Sequence, residues 1–163
     1  MTNKKFWLGM LVLTLVFGMT AIGCKEDIEA DSALNGTWVN AVRNQTLVLD
    51  NGNFTVSEYG MLTAKGTYST SNGKISSTTT HLHGNSLNFW FEAEIFPSDW
   101  LTKAQIRQTL IALAPEDEED IDEELNEMFA PVKDASYSVS GSTLTVHWPD
   151  GPVLNGTIVY TKR

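Results

Sequence analysis

From Leu34 onward the chain repeats one arrangement: a short run in which apolar and polar residues alternate, a pair of turn residues, then another alternating run. A period of two puts the apolar residues of a run on one face of an extended strand, and Asn-Gly or Gly-Ser between two such runs marks a tight antiparallel hairpin. Register tightens the constraint. With Asn51-Gly52 as a two-residue loop, Leu49 faces Phe54 and Leu47 faces Val56, leaving Thr55 and Ser57 on the other side. Gly141-Ser142 behaves alike, setting Val139 against Leu144 and Tyr137 against Val146. Asn72-Gly73 joins two strands that are polar apart from Tyr68 and Ile75, which predicts an exposed or rim hairpin. A first turn at Arg43-Asn44 sets Trp38 on the Leu47/Leu49 face, and Pro149-Asp150-Gly151-Pro152 supplies the last turn.

These turns predict strands near 36–42, 45–50, 53–59, 63–71, 74–82, 86–95, 134–140, 143–148 and 154–162. Eight or nine strands at this spacing form a meander that closes into a barrel, or else a sandwich. Leu34-Asn35-Gly36-Thr37 recurs as Leu154-Asn155-Gly156-Thr157, so first and last strands share a character. Pairing them would remove both sheet edges.

At about 99–130 the period changes. Thr102-Lys103-Ala104-Gln105 fits a capping box, flanked by Leu101 and Ile106 at the positions of a hydrophobic staple. A helix with Ile106, Leu110 and Leu113 on one side stops at Pro115, and a second carries Ile121, Leu125, Met128 and Phe129 before Pro131. Nine acidic residues between Glu116 and Glu127 crowd the start of the second helix, where negative charge complements the macrodipole. The hairpin is expected to cover either a barrel mouth or the outside of the sheet.

The N-terminus is of another kind. Lys4 and Lys5 precede an apolar run from Phe6 to Ile22, followed by Gly23 and the only cysteine, Cys24. This is the order of a secretory signal. Ala21-Ile22-Gly23-Cys24 resembles the lipobox of bacterial lipoproteins, which implies removal of residues 1–23 and acylation of Cys24. A transmembrane anchor is the alternative, but the acidic sequence that follows is no stop-transfer flank. The remaining 140 residues suffice for one domain, and nine basic residues stand against twenty acidic ones, a net charge of −11. Such a chain is not expected to bind nucleic acid, and it must reach a membrane through acyl chains rather than charge. Residues 24–33 read as a disordered acidic tether.

Candidate chemistry is sparse. His81 and His83 share a predicted strand face, with His147 elsewhere, but three or four ligands with supporting partners are needed for a tight metal site, so no metal or cofactor is expected. There is no nucleophile motif, and Glu92 and Glu94 alternate with Phe91, Ala93 and Ile95 as the wet side of a strand would. The chain is therefore not expected to be an enzyme. Its aromatic residues either line a pocket or fill the interior. Phe89-Trp90-Phe91 puts apolar bulk on both faces of the predicted sixth strand, so one face must be covered or exposed as a contact patch.

Several short segments carry a resemblance across nearly the whole mature chain: Gly36-Thr37-Trp38, Gly66-Thr67-Tyr68-Ser69 with Asn72-Gly73, Met128-Phe129-Ala130-Pro131, Tyr137 to Thr145, and the Tyr160-Thr161-Lys162-Arg163 end. Together they resemble small bacterial lipoproteins, of the spirochaete and Bacteroidetes type, with a lipocalin-like β-barrel. Gly36-x-Trp38 also looks like the first lipocalin motif, which implies a Trp plugging the barrel base under a basic residue, Lys162 or Arg163. Departing from that pattern, Thr-Asp-Tyr is absent and the helices precede the last strands. The fold expectation is a mainly β, antiparallel, eight- or nine-stranded lipocalin-like barrel with an inserted helical hairpin. The functional expectation is a lipid-anchored protein of the outer membrane or cell surface. Its barrel would hold a small hydrophobic ligand against Trp38, Phe54, Trp90 and Tyr137. The alternative is a filled barrel working through its surface, as an inhibitor, adhesin or envelope component.

Overall fold

The computed structural model describes residues 30–148 and 156–163. The signal segment, Cys24, most of the tether, the 149–152 turn and Leu154-Asn155 lie outside the described residues. No described helix is long and apolar enough to cross a membrane.

The alternating runs fold as expected. Strands β1 (Gly36–Asn40), β2 (Gln45–Asp50), β3 (Asn53–Glu58), β4 (Met61–Ser71) and β5 (Lys74–His83) form a meander of hairpins. After the insertion, β7 (Val132–Ser140), β8 (Thr143–Trp148) and β9 (Gly156–Lys162) continue it. Leu49 faces Phe54 and Leu47 faces Val56, while Val139 faces Leu144 and Tyr137 faces Val146, the registers read from the two turns. The sheet closes into an eight-stranded antiparallel barrel because β1 pairs with β9, Trp38 opposite Lys162, and β5 pairs with β7, Ile75 opposite Ala135. The ninth strand, β6 (Trp100–Leu101), adds outside this ring to the upper half of β5.

Alternation of strand direction gives the barrel two unlike ends. The base holds the turns at 51–52, 72–73 and 141–142, the chain end at Arg163, and a 3-10 turn at Ser32–Leu34. The top holds the 41–44 loop, the Tyr59-Gly60 turn and the whole insertion between β5 and β7. The 3-10 turn corrects one expectation, since the end of the tether is ordered: the Asp31 side chain accepts from the Ala33 N–H, and the Asp31 N–H donates to Thr70 Oγ1 at 2.8 Å.

The insertion also departs from expectation at its start. No strand occupies 86–95; helix α1 (Gly84–Trp90) begins directly after β5. Periodicity failed because local hydrogen bonding replaced the ladder. His83 Nδ1 accepts from the Asn85 N–H at the helix start, and the Asn88 side chain accepts from the N–H groups of Ile95 and Phe96 while donating to the Phe96 carbonyl. Gly84 lies so close to the loop that a Cβ there would sit 1.8 Å from the Pro97 carbonyl oxygen. Glu92 and Glu94 therefore belong to an irregular loop, not to the wet face of a strand.

The rest of the insertion follows the sequence closely. Helix α2 (Lys103–Leu113) starts with Thr102 and Gln105 in a reciprocal capping box, and Leu101 and Ile106 are both buried beside it. Helix α3 (Glu118–Met128) buries Ile121, Leu125 and Met128. Leu113, expected on the apolar side of α2, is exposed at the helix end.

Two apolar clusters result. The barrel core contains Trp38, Leu47, Leu49, Phe54, Val56, Tyr68, Leu144, Val146, Trp148, Ile158 and Tyr160. The second gathers Leu87, Phe96, Leu101, Ile106, Ile121, Leu125 and Met128 around Ala64 and Leu82. Ala64 stands opposite both Val56 and Leu82, and residues directly opposite in adjacent strands share a face. Ala64 and Leu82 are thus inward-facing residues near the top, and the insertion caps the mouth at β4 and β5.

Candidate functional site

The barrel interior was the expected ligand site, and its contents follow from the strands. At the base, Trp38 is fully buried and its indole N–H donates to the Leu34 carbonyl at 2.6 Å, tying the 3-10 turn across the opening. Lys162 Nζ lies 5.1 Å from the centre of the Trp38 ring, in cation–π range. Gly36 makes this approach possible: its φ of +140° suits glycine, and a Cβ would meet Lys162 Cε at 2.7 Å. The Tyr137 hydroxyl donates to Asp31 Oδ2 at 2.8 Å and the Tyr68 hydroxyl to Asn35 Oδ1 at 3.3 Å, so two tyrosines from the wall hold the same plug. Burial, followed by the bond to the Asp31 carboxylate, pushes the Tyr137 phenol up.

Above the plug the interior is packed. The cavity left among Leu47, Phe54, Tyr68, Ser77, Trp148 and Tyr160 measures about 20 Å³. Pockets for small organic ligands are on the order of 300–1,000 Å³, whereas one water needs only about 10–15 Å³. Toward the top, a buried polar chain crosses the interior: the Tyr160 hydroxyl donates to Gln45 Oε1, and Gln45 Nε2 donates to Glu58 Oε1 at 2.7 Å. Burial pushes the Tyr160 phenol well above its ordinary range. Desolvation raises Glu58 in spite of the Gln45 amide and the nearby Arg43 charge.

The four aromatic residues expected to line a pocket are not brought together around a cavity. Trp38 closes the base, Phe54 is core filling, and Tyr137 points its hydroxyl to the plug. Trp90 sits at the end of α1, half-buried against the cap cluster. The histidines are likewise dispersed. His83 caps α1 and packs edge-on against Trp100 at 5.1 Å, a ring that also lies under Lys65. His81 is on the outer side, its pKa lowered by desolvation and then by Lys65, and His147 on β8 meets Thr157 of β9. Among the described residues no group of three or more His, Cys, Asp or Glu side chains is placed to hold a metal ion.

The cap is stitched by charge. Arg107 of α2 pairs with Asp122 (Nε to Oδ1, 2.6 Å) and with Glu118 of α3. The Arg107 hydrogen bond holds the Asp122 carboxyl below its ordinary range. A shallow open depression runs along α3 between Glu119, Glu123, Glu127 and Ala130.

Comparison with protein-family models, curated proteins and solved structures finds no significant match. Any functional reading therefore stands on this chain's own residues. What sequence reasoning missed is the apolar surface at the top. Val42 is 94% exposed, Tyr59 74%, Phe89 67% and Leu62 40%, and only Phe89 drew notice as part of an aromatic run. The available signal was an aromatic residue, Tyr59, in a turn dipeptide where a polar residue is usual.

Proposed function

We propose that this is a lipid-anchored envelope protein, acylated at Cys24, whose barrel is a filled support and whose outer surface does the work as an interaction module without catalysis. The observation that carries this reading is the 20 Å³ interior, stoppered by Trp38 below and by the cap above. A ligand of several hundred cubic ångströms has no room there unless the core itself is rebuilt. The lipobox-like Ala21-Ile22-Gly23-Cys24, with Asp31 seven residues later held to the barrel by Thr70 and Tyr137, supports anchoring at the outer membrane or cell surface. Lys162 over the Trp38 ring supports the lipocalin-like resemblance, which carries fold but not function.

Native mass spectrometry of the detergent-purified lipoprotein tests the filled barrel. The expected mass is that of the acylated chain alone; a stoichiometric small molecule retained by wild type and lost in a Phe54→Ala variant would restore the ligand-carrier reading. Labelled fatty acid should enter wild type and not Cys24→Ala; equal labelling of the two would remove the anchor.

A further inference from the structure

We propose that the membrane-distal end of the barrel is a docking surface for a cationic protein segment that carries apolar side chains. The proposal rests on the anchored reading for its orientation, and on the fold for its chemistry.

Orientation follows from chain length. Asp31 is fixed at the base by Thr70 and Tyr137. Five residues lie between Cys24 and Ala30, and the six Cα-to-Cα steps, at about 3.5 Å each, reach roughly 20 Å. The eleven residues of β4 run about 36 Å along the strand, which a barrel tilt of roughly 40° reduces to a height of about 27 Å. The tether is too short to lay the top on the bilayer that holds the base. The cap and the Tyr59 turn therefore face away from the membrane.

The chemistry of the two ends differs in the same sense. At the top, the Tyr59 N–H donates to the Asn44 carbonyl at 2.9 Å, which sets Tyr59 beside the loop carrying Val42. The Ser86 hydroxyl donates to the Leu62 carbonyl at 2.6 Å, which seats α1 on the start of β4, with Phe89 one turn farther along. Val42, Tyr59, Leu62 and Phe89 thus follow one another around one rim, all exposed. Among the described residues, none of the exposed large apolar side chains lies in the base turns. A rim of this kind, which no described element covers, is the pattern of a contact surface.

Charge selects the occupant. The insertion from Gly84 to Pro131 holds twelve acidic and two basic residues, a net charge of −10. The mature chain as a whole carries −11, so the rest of the molecule is almost neutral. Nearly the entire field comes from the end that bears the apolar rim, with Glu92 three residues beyond Phe89. An anionic lipid surface or nucleic acid is repelled by such a face, and a basic segment is steered to it. The apolar rim then gives that segment side-chain anchors.

The test uses the full-length lipoprotein in phosphatidylcholine vesicles, with protein-free vesicles subtracted. The probe is a fluorescent dodecapeptide, two repeats of Lys-Leu-Gly-Lys-Phe-Gly, read by anisotropy. Binding should weaken at least tenfold in a Tyr59→Ser/Phe89→Ser variant, in 0.5 M NaCl, and when Ser replaces Leu and Phe in the peptide. Substitution of Asn53 by Ser at the base should change it less than twofold. Equal binding by wild type and the double variant overturns the proposal, as does equal binding of the Ser peptide, which would make the cap a mere cation exchanger. Both substituted side chains are exposed, so an unchanged circular dichroism spectrum and Tm confirm that the variant is folded. Nitroxides at Asn72→Cys and Val42→Cys, with a paramagnetic lipid, report orientation: the base label should be broadened and the top label not. The reverse pattern overturns the membrane-distal placement. Failure of the protein to stay on the vesicles indicts the anchor alone, because the peptide arm can be read on the released chain.

Discussion

The cluster around Trp38 and the cluster around Leu125 are both aliphatic-aromatic, yet they are enclosed by different means. The barrel core is ringed by eight strands whose backbone groups bond to both neighbours, and its contents point inward by the period of the strand. The cap cluster is roofed by three short helices and a loop, held to the barrel through Ala64, Leu82 and the two-residue strand β6. The first is braced on all sides by a closed ladder; the second depends on side chains packing over one sector of a rim. Charge follows the same division, near zero on the barrel and strongly negative on the cap. What this teaches is a separation of support: the barrel is braced by its own closed ladder, and the cap by side-chain packing and charge pairs over one part of the mouth.

The largest expected effect tests the barrel side of that comparison. Trp38→Ala removes a fully buried indole and its bond to Leu34, and should cost about 3–5 kcal/mol, seen as a lowered urea midpoint for the whole domain. Leu125→Ala should cost about 2–4 kcal/mol, but locally. Hydrogen exchange should quicken in α2 and α3 while β1 to β4 stay protected; uniform loss in all strands would show that the two clusters are one cooperative unit. Tyr160→Phe leaves the Gln45 carbonyl oxygen without its buried donor and should cost about 1–3 kcal/mol, with the loss shared by the whole barrel. Thr102→Ala removes the capping box of α2 and should cost about 1 kcal/mol, confined to the cap.

The smallest effect is one of sign. Desolvation raises the folded-state pKa of Glu58, so the folded barrel binds that proton more tightly than the unfolded chain and loses stability as pH rises through the carboxylate range. Glu58→Gln should flatten that dependence in the thermal midpoint. Asp122 runs the other way: its folded-state pKa is lowered by Arg107, so its contribution is complete above the ordinary carboxylate range and lost as pH falls. Asp122→Asn should abolish the acid-side gain in cap hydrogen exchange and leave the barrel amides unchanged.

Much of this was legible in advance where the signal is local. The Leu49–Phe54 and Val139–Leu144 registers follow from a two-residue turn and a period of two, and the α2 start follows from four residues around Thr102. The 86–95 segment was not legible, because apolar residues at Phe89, Phe91 and Ile95 fit a strand as well as a short helix and a loop. The decisive bonds from Asn88 and the Gly84 contact with Pro97 join residues whose proximity only the folded cap creates. The four candidate lining residues ended up apart for a related reason: Trp38, Phe54, Trp90 and Tyr137 were grouped by residue type, and type does not say where in the barrel each one sits.

By itself, then, the chain set the eight strands of the barrel, its hairpin registers, the capped helix pair and the concentration of negative charge between Gly84 and Pro131, all legible over a few residues at a time. Tertiary structure alone decided closure of the sheet by β1 and β9, the filling of the interior down to 20 Å³, and the seat of the insertion over the mouth. These depend on how volumes meet across more than a hundred residues of chain, and alternation of apolar residues carries no information about the space left between them.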